Sequence, residues 1–119
     1  MSDITKSYCE LITEDDTNCC AVIHIAKHML ADKFNIAVGD LDHNKSRKSE
    51  IVEARRFLMY FLFEELEMKK SRILDFVPTI SNHATVIHHI KKMKELMELE
   101  KPLEKKYEDF RYAMVNEIF

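Results

Sequence analysis

Apolar residues recur three and four positions apart along most of the chain, which is the spacing of amphipathic α-helices. The segment over residues 49–67 is apolar over most of its circumference, so it is predicted to be the central helix. Gly39 is expected to end the helical pattern of the first segment. The predicted helices cover residues 17–34, 49–67, 70–77, 82–99 and 102–117, and a further short helix is expected over residues 3–13.

A turn followed by a long helix dominates the second half of the chain. Pro78 fits poorly inside a helix, because its ring removes an N–H donor and clashes with the preceding turn. Ser81 and Asn82 are both good N-cap residues, so the long helix is predicted to begin beside them. Its apolar face comprises Val86, Ile87, Ile90, Met93 and Leu96, and its polar face comprises Asn82, His83, Thr85, His89 and Lys92. A short helix, a tight turn and a second helix with polar first residues are typical of a helix-turn-helix that reads the major groove.

The composition favours a single all-α domain. The chain has 119 residues, 46% of them apolar, with one Gly and two Pro, which favours helices over turn-rich β structure. Residues 17–119 are predicted to form one compact multi-helix domain, preceded by an N-terminal arm over residues 1–16. No apolar run approaches the roughly 20 residues of a membrane span. The three cysteines lack zinc-type spacing and suggest reduced thiols, so we expect a cytoplasmic protein.

Positive charge is concentrated in the middle of the chain, although the formal net charge is −3. Residues 41–97 contain eleven Lys and Arg against eight acids, whereas residues 1–40 contain three against seven and residues 98–119 four against six. The net acidity argues against a general polyanion binder, but the basic surplus coincides with the predicted helix-turn-helix. Mixed charge on solvated helix surfaces is the alternative explanation.

The residues that open the 82–99 helix carry a resemblance to a known family. The run Asn82-His83-Ala84-Thr85-Val86-Ile87-His88-His89 resembles the Asp-His-Thr-Thr-Val-Leu-His-Ala signature of the bacterial chromosomal replication initiator DnaA. There the signature opens the recognition helix of the C-terminal DNA-binding domain (domain IV). The resemblance extends upstream through IVEARRFLMYFLFEEL and HNKSRK and covers most of the chain. It implies a divergent stand-alone version of that domain, with a Trp-repressor-like or DnaA-like helix-turn-helix and double-stranded DNA as partner.

The resemblance assigns base reading to the start of this helix. Asn82, His83 and Ala84 match the family's base-reading positions, with Thr85 beside them. Asn82 can pair bidentately with adenine, whereas the family's aspartate accepts a hydrogen bond from cytosine. His83 can donate to guanine or thymine, and the methyl groups of Ala84 and Thr85 can contact a thymine methyl. The alternative role of Asn82 is a simple N-cap.

Basic residues elsewhere are candidates for contacts with the phosphates and the minor groove. In the resembled family a loop at residues 42–49 carries an arginine into the minor groove, and Arg47 matches it, with Lys45 and Lys48 beside it. Arg55 matches a family position associated with the DNA backbone, and Arg56 follows it. An ordinary solvated linker and helix-surface salt bridges are the alternatives. The remaining candidates lie on the polar side of the long helix and are His89, Lys91, Lys92 and Lys94.

The chain also departs from the family at the entrance to this helix. A family Gly-Gly-Arg triplet is replaced by Thr79-Ile80-Ser81, so Ser81 stands where an arginine would contact a phosphate or a base. Asn82 replaces the family's aspartate, and Ala84 replaces its first threonine. We therefore predict that the family's usual recognition site is bound poorly or not at all. The chain is then expected to recognise either a different site or none.

The alternative function is a helical protein-interaction module or homodimer that keeps the fold without binding DNA. The net acidity and the missing arginine at Ser81 favour it. The sequence has no Gly-rich phosphate loop, and its histidines and cysteines show no zinc-type motif. We therefore expect no enzymatic activity, no cofactor and no metal. The expected role is transcription regulation or replication-origin recognition, with a phage or mobile element as one setting and association with the nucleoid if DNA is bound.

Overall fold

The computed structural model describes residues 16–42, 49–77 and 82–118, and the regular elements in these ranges are all α-helices. The all-α prediction is confirmed. None of these helices combines the length and the apolar character that crossing a bilayer requires. Residues 1–15 of the predicted N-terminal arm lie outside the described residues. The helices are α1 (Asp16–Phe34), α2 (Val38–Asp42), α3 (Ser49–Glu64), α4 (Lys70–Phe76), α5 (His83–Leu99) and α6 (Lys101–Ile118).

The helix α3 is the centre of the fold, as its apolar circumference predicts. It packs against α1, α2, α4 and α5, and its side chains Phe57, Leu58, Phe61 and Leu62 are fully buried. The Phe57 ring meets the Phe34 ring of α1 edge to face, with 5.0 Å between centroids. The Phe61 ring meets the Phe110 ring of α6 at 5.2 Å. Edge-to-face pairs add to the free energy gained from burying apolar area, so α3 joins the first and last helices.

The helix α1 ends at Phe34, the residue predicted from the sequence. Asn35 has a φ of 55°, the left-handed conformation that asparagine tolerates better than most residues. The N–H of Ile36 donates to the Ala31 carbonyl at 2.9 Å and so satisfies an acceptor at the helix end. Gly39 lies inside α2. The predicted break at Gly39 is therefore wrong, because an asparagine had already ended the helix.

The helix α3 ends at Glu64, three residues earlier than predicted. Glu67 adopts a φ of 52°, and the Met68 N–H donates to the Leu62 carbonyl at 3.0 Å, which folds the chain back on the helix end. Leu66 and Met68 remain buried in this non-helical segment. The apolar spacing therefore predicted the burial of Leu66 correctly and the backbone conformation around it incorrectly.

The pair α4 and α5 forms the helix-turn-helix, and both helices rest on α3. Ile73 and Val77 are fully buried, and α5 buries Val86, Ile90 and Met93. The bounds of α4 and α5 agree with the prediction to within one residue. Residues 78–81, which are predicted to form the turn between them, lie outside the described residues.

A buried polar cluster holds α6 to the end of α3. The Tyr107 hydroxyl donates to Glu65 Oε1 at 3.5 Å, and Arg111 Nε lies 3.8 Å from the same oxygen. Burial raises the pKa of Glu65, and the nearby Arg111 charge opposes that rise. Arg111 also pairs with Glu108 on its own helix, so one guanidinium bridges two carboxylates and holds α6 against the segment that follows α3.

Candidate nucleic-acid interface

Asn82 caps the helix α5. Its backbone is extended (φ −124°, ψ 127°), and its Oδ1 accepts a hydrogen bond from the Ala84 N–H at 2.8 Å. Its carbonyl accepts from the Thr85 N–H at 3.0 Å. The side chain is nevertheless exposed. An amide oxygen has two lone pairs and an amide nitrogen two N–H donors, so the cap uses only part of the hydrogen-bonding capacity of Asn82.

The first turn of α5 presents His83 and Ala84 to solvent. Both residues are exposed, Thr85 is half-buried, and Val86 behind them is fully buried. The buried valine fixes the rotation of the helix, so the side chains of residues 82–84 point away from the core. Contact of these residues with bases remains a prediction.

Ile87 belongs to the exposed face, contrary to the sequence pattern. Its side chain is 39% exposed, and it lies one turn after Ala84 and one turn before Lys91. The buried stripe of α5 instead follows Val86, Ile90 and Met93. The prediction of a buried Ile87 is wrong, because that stripe is narrower than the apolar residues suggest. Ile87 therefore adds an apolar side chain to the exposed face of α5.

His89 and Arg56 meet between α5 and α3. Arg56 Nε donates to His89 Nδ1 at 3.4 Å, and both side chains are half-buried. Burial, followed by the positive charges of Arg56, His88 and Arg55, lowers the pKa of His89 to about 4. The imidazole is therefore neutral at pH 7 and able to accept this hydrogen bond. His89 lies at the edge of the polar face rather than at its centre.

Arg55 is directed toward α2. Its side chain is buried, and its Nη2 donates to the Asp40 carbonyl at 2.7 Å. Burial lowers the pKa of Arg55, and the Asp40 charge opposes the shift. This contact connects the central helix to α2, which ends at Asp42, just before the basic run of residues 43–48 in the sequence. A phosphate contact by Arg55 remains a prediction.

Two lysines extend the exposed face of α5. Lys91 and Lys92 are both exposed, whereas Lys94 forms an ion pair with Glu64 at 3.2 Å. Residues 82–94 contain no Asp or Glu, and the first acid of α5 is Glu95. The outer surface of the first three turns is therefore polar or basic, with Ala84 and Ile87 as its apolar members.

Four predicted site residues, Lys45, Arg47, Lys48 and Ser81, lie outside the described residues. Within the described ranges, no three His, Cys, Asp or Glu side chains are grouped as metal ligands. The structure thus exposes Asn82, His83 and Ala84 at the start of α5, with Thr85 half-buried beside them and Lys92 exposed about two turns farther along. It places Arg56 and His89 together between α3 and α5, and it directs Arg55 toward α2.

The region that contains this surface matches a known family. A family model described as "Bacterial dnaA protein helix-turn-helix" matches residues 23–93, which is more than half of the chain. The match begins in α1 and ends in α5, so it includes the central helix and the helix-turn-helix.

Similar proteins match through the same part of the chain. The chromosomal replication initiator protein DnaA of Bacteroides thetaiotaomicron is 28% identical over 99 residues, which are 83% of this chain and 20% of that protein. The protein of the same name from Bacteroides fragilis is 39% identical over 59 residues, which are 50% of this chain and 12% of that protein. The chain therefore spans no more than a fifth of the length of either relative. No solved structure gives a significant match.

Proposed function

Because the chain belongs to the bacterial DnaA helix-turn-helix family, we propose that it binds double-stranded DNA sequence-specifically, with α5 in the major groove. The observation that carries this proposal is the outer face of residues 82–94, which is exposed at its N-terminal end and free of acids. Acids along the turns that pass the DNA backbone would repel the phosphates on both sides of the groove. The proposed use is transcription regulation or replication-origin recognition, in the cytoplasm at the nucleoid.

Base reading is assigned to the first turn of α5. The helix N-terminus carries a partial positive charge, which favours its approach to DNA. Asn82 presents an amide that keeps one acceptor lone pair and two donors beyond the cap, enough to pair with the N6 and N7 positions of adenine. His83 is assigned to a guanine or thymine acceptor. Ala84 and Ile87 offer apolar surface to a thymine methyl, with the Thr85 methyl beside them.

Phosphate contacts are assigned to basic side chains around that turn. Lys91 and Lys92 lie two turns farther along α5, where a helix inserted in the groove leaves the bases and passes the backbone. The loop residues Lys45 and Lys48 are assigned to phosphates, and Arg47 to the minor groove. Ser81 is assigned a phosphate through its hydroxyl. We assign Arg55 a supporting role at α2, because its buried guanidinium donates to the Asp40 carbonyl.

Selection from a pool of random-sequence duplexes tests this function. The wild-type chain is expected to enrich one short motif at low salt. The motif should differ from the family's usual site, because Asn82 and Ala84 replace family residues at base-reading positions. If no sequence is enriched at any salt concentration, sequence-specific recognition is ruled out. Nuclease treatment during co-purification then distinguishes a protein-interaction module, because protein contacts survive loss of nucleic acid.

Changing Asn82 to aspartate should alter the selected motif at one position. Aspartate is an equally good N-cap, so α5 should keep its start. Aspartate has no amide donor, however, so the preferred base at that position should change from adenine to cytosine. The discrimination at that position should change by about 1–3 kcal/mol, as for one good base contact.

The control is Asn116→Asp, which makes the same chemical change at an exposed position of α6. This variant should select the wild-type motif. An unchanged motif for Asn82→Asp, with wild-type enrichment intact, would show that Asn82 acts only as a cap.

A further inference from the structure

We infer that His89 is a positioning residue, which holds the guanidinium of Arg56 so that its outer edge binds a DNA phosphate. The inference rests on the proposed function and identifies how one phosphate contact is prepared. In this role His89 holds Arg56 and does not itself contact DNA.

The geometry assigns one edge of the guanidinium to the protein. Arg56 Nε donates to His89 Nδ1 at 3.4 Å across the contact between α3 and α5. An arginine side chain has five N–H donors in a planar fork. With Nε directed at the imidazole, the two Nη groups form the remaining edge. Two parallel N–H donors on one edge match two oxygens of a phosphate, which is the bidentate arrangement that arginine favours.

The charge of Arg56 stays available because its partner is neutral. His89 is uncharged at pH 7, since its pKa is lowered to about 4. The carboxylate of Glu53, one turn earlier on α3, forms its ion pair with Lys106 at 3.8 Å. Glu53 still stabilises the Arg56 charge through space, although burial lowers the pKa of Arg56 overall. Histidine therefore orients the guanidinium without neutralising its charge. A carboxylate in the same position would neutralise that charge.

The position of the pair suits a phosphate rather than a base. His89 follows His83 by six residues, or roughly 9 Å along a helix that rises 1.5 Å per residue. Arg56 thus lies well beyond the base-reading turn, on the central helix α3. The resembled signature ends in alanine where this chain has His89. Alanine is the better helix former, so the helix itself does not require a histidine here.

Four variants test the inference against the duplex that the wild-type chain enriches. Arg56→Ala is expected to weaken binding about tenfold, as for one charged hydrogen bond. It should also reduce the slope of log affinity against log salt by about 0.9, the loss of one phosphate contact. His89→Ala should weaken binding about threefold, because Arg56 remains but is no longer oriented. The double variant should bind no more weakly than Arg56→Ala.

The fourth variant, His89→Asn, separates positioning from a general structural role. Its Oδ1 occupies nearly the position of Nδ1 and accepts from Arg56 Nε, so it should recover most of the affinity lost in His89→Ala. Thermal unfolding provides the second readout. His89→Ala should unfold at or above the wild-type temperature while binding DNA more weakly.

Three outcomes would overturn the inference. If His89→Ala binds the enriched duplex as tightly as the wild type, His89 does not act on Arg56, and the proposed function still stands. If the losses in the double variant multiply, His89 contacts DNA on its own. If the wild-type chain enriches no duplex, the proposed function fails, and this inference fails with it.

Discussion

Replacing Lys91 and Lys92 together by glutamine is expected to weaken duplex binding about a hundredfold at low salt. Each lysine is exposed on the acid-free face of α5. A hydrogen bond to a charged group contributes roughly 1.5–3 kcal/mol, and 1.4 kcal/mol corresponds to about tenfold. Two lost phosphate contacts should also reduce the salt slope by about 1.8. A titration of labelled duplex at several salt concentrations measures both quantities.

The matched control replaces Lys101 and Lys105 by glutamine. Both residues are exposed on α6, and the change in net charge is identical. This control should keep the wild-type affinity to within about twofold, because it removes only the exposed ion pair of Lys101 with Glu104 and no assigned DNA contact, and distant surface charges are screened by salt. Equal losses of duplex affinity in the two double variants would mean that net charge alone governs binding. The position of Lys91 and Lys92 on α5 would then make no difference.

Replacing Leu62 by alanine should lower the free energy of unfolding by about 2–5 kcal/mol. Leu62 is fully buried on α3, the helix on which α4 and α5 rest. The truncation removes apolar contacts and leaves a cavity that the surrounding helices fill only in part. A loss of this size is a large fraction of the stability of a typical domain. Urea unfolding followed by circular dichroism measures it.

Leu99→Ala makes the same substitution on the surface and is the control for Leu62→Ala. Leu99 is 81% exposed at the end of α5, so its replacement should change the free energy of unfolding by less than about 0.5 kcal/mol. Similar effects of the two substitutions would contradict the placement of α3 at the centre of the core.

The helices of this fold could be predicted from sequence because their buried faces repeat regularly. Leu58 and Leu62 of α3 stand one turn apart, and Asn82 marks the start of α5 as a capping residue should. The left-handed residues Asn35 and Glu67 were not predicted. Their conformations depend on which carbonyls at the helix end accept hydrogen bonds and on which apolar side chains nearby become buried. The spacing of apolar residues along the sequence does not contain this information.

The candidate site could be predicted where it depends on one helix. The exposure of Asn82 and His83 follows from the capping pattern, and the family resemblance drawn from this run is confirmed by the match over residues 23–93. The partners of Arg55 and Arg56 could not be predicted. Arg55 meets Asp40 and Arg56 meets His89 across 15 and 33 positions of sequence. Such contacts arise only when separate helices pack together.

The most direct test of the central claim modifies the major-groove edge of the enriched duplex one base pair at a time. Methylation of guanine N7 and replacement of thymine by uracil both alter only that edge, and every base pair contains one of these two bases. Several adjacent modifications should weaken wild-type binding, and His83→Ala should lose sensitivity at one of those positions. If every modified duplex bound as tightly as the unmodified one, α5 would not lie in the major groove.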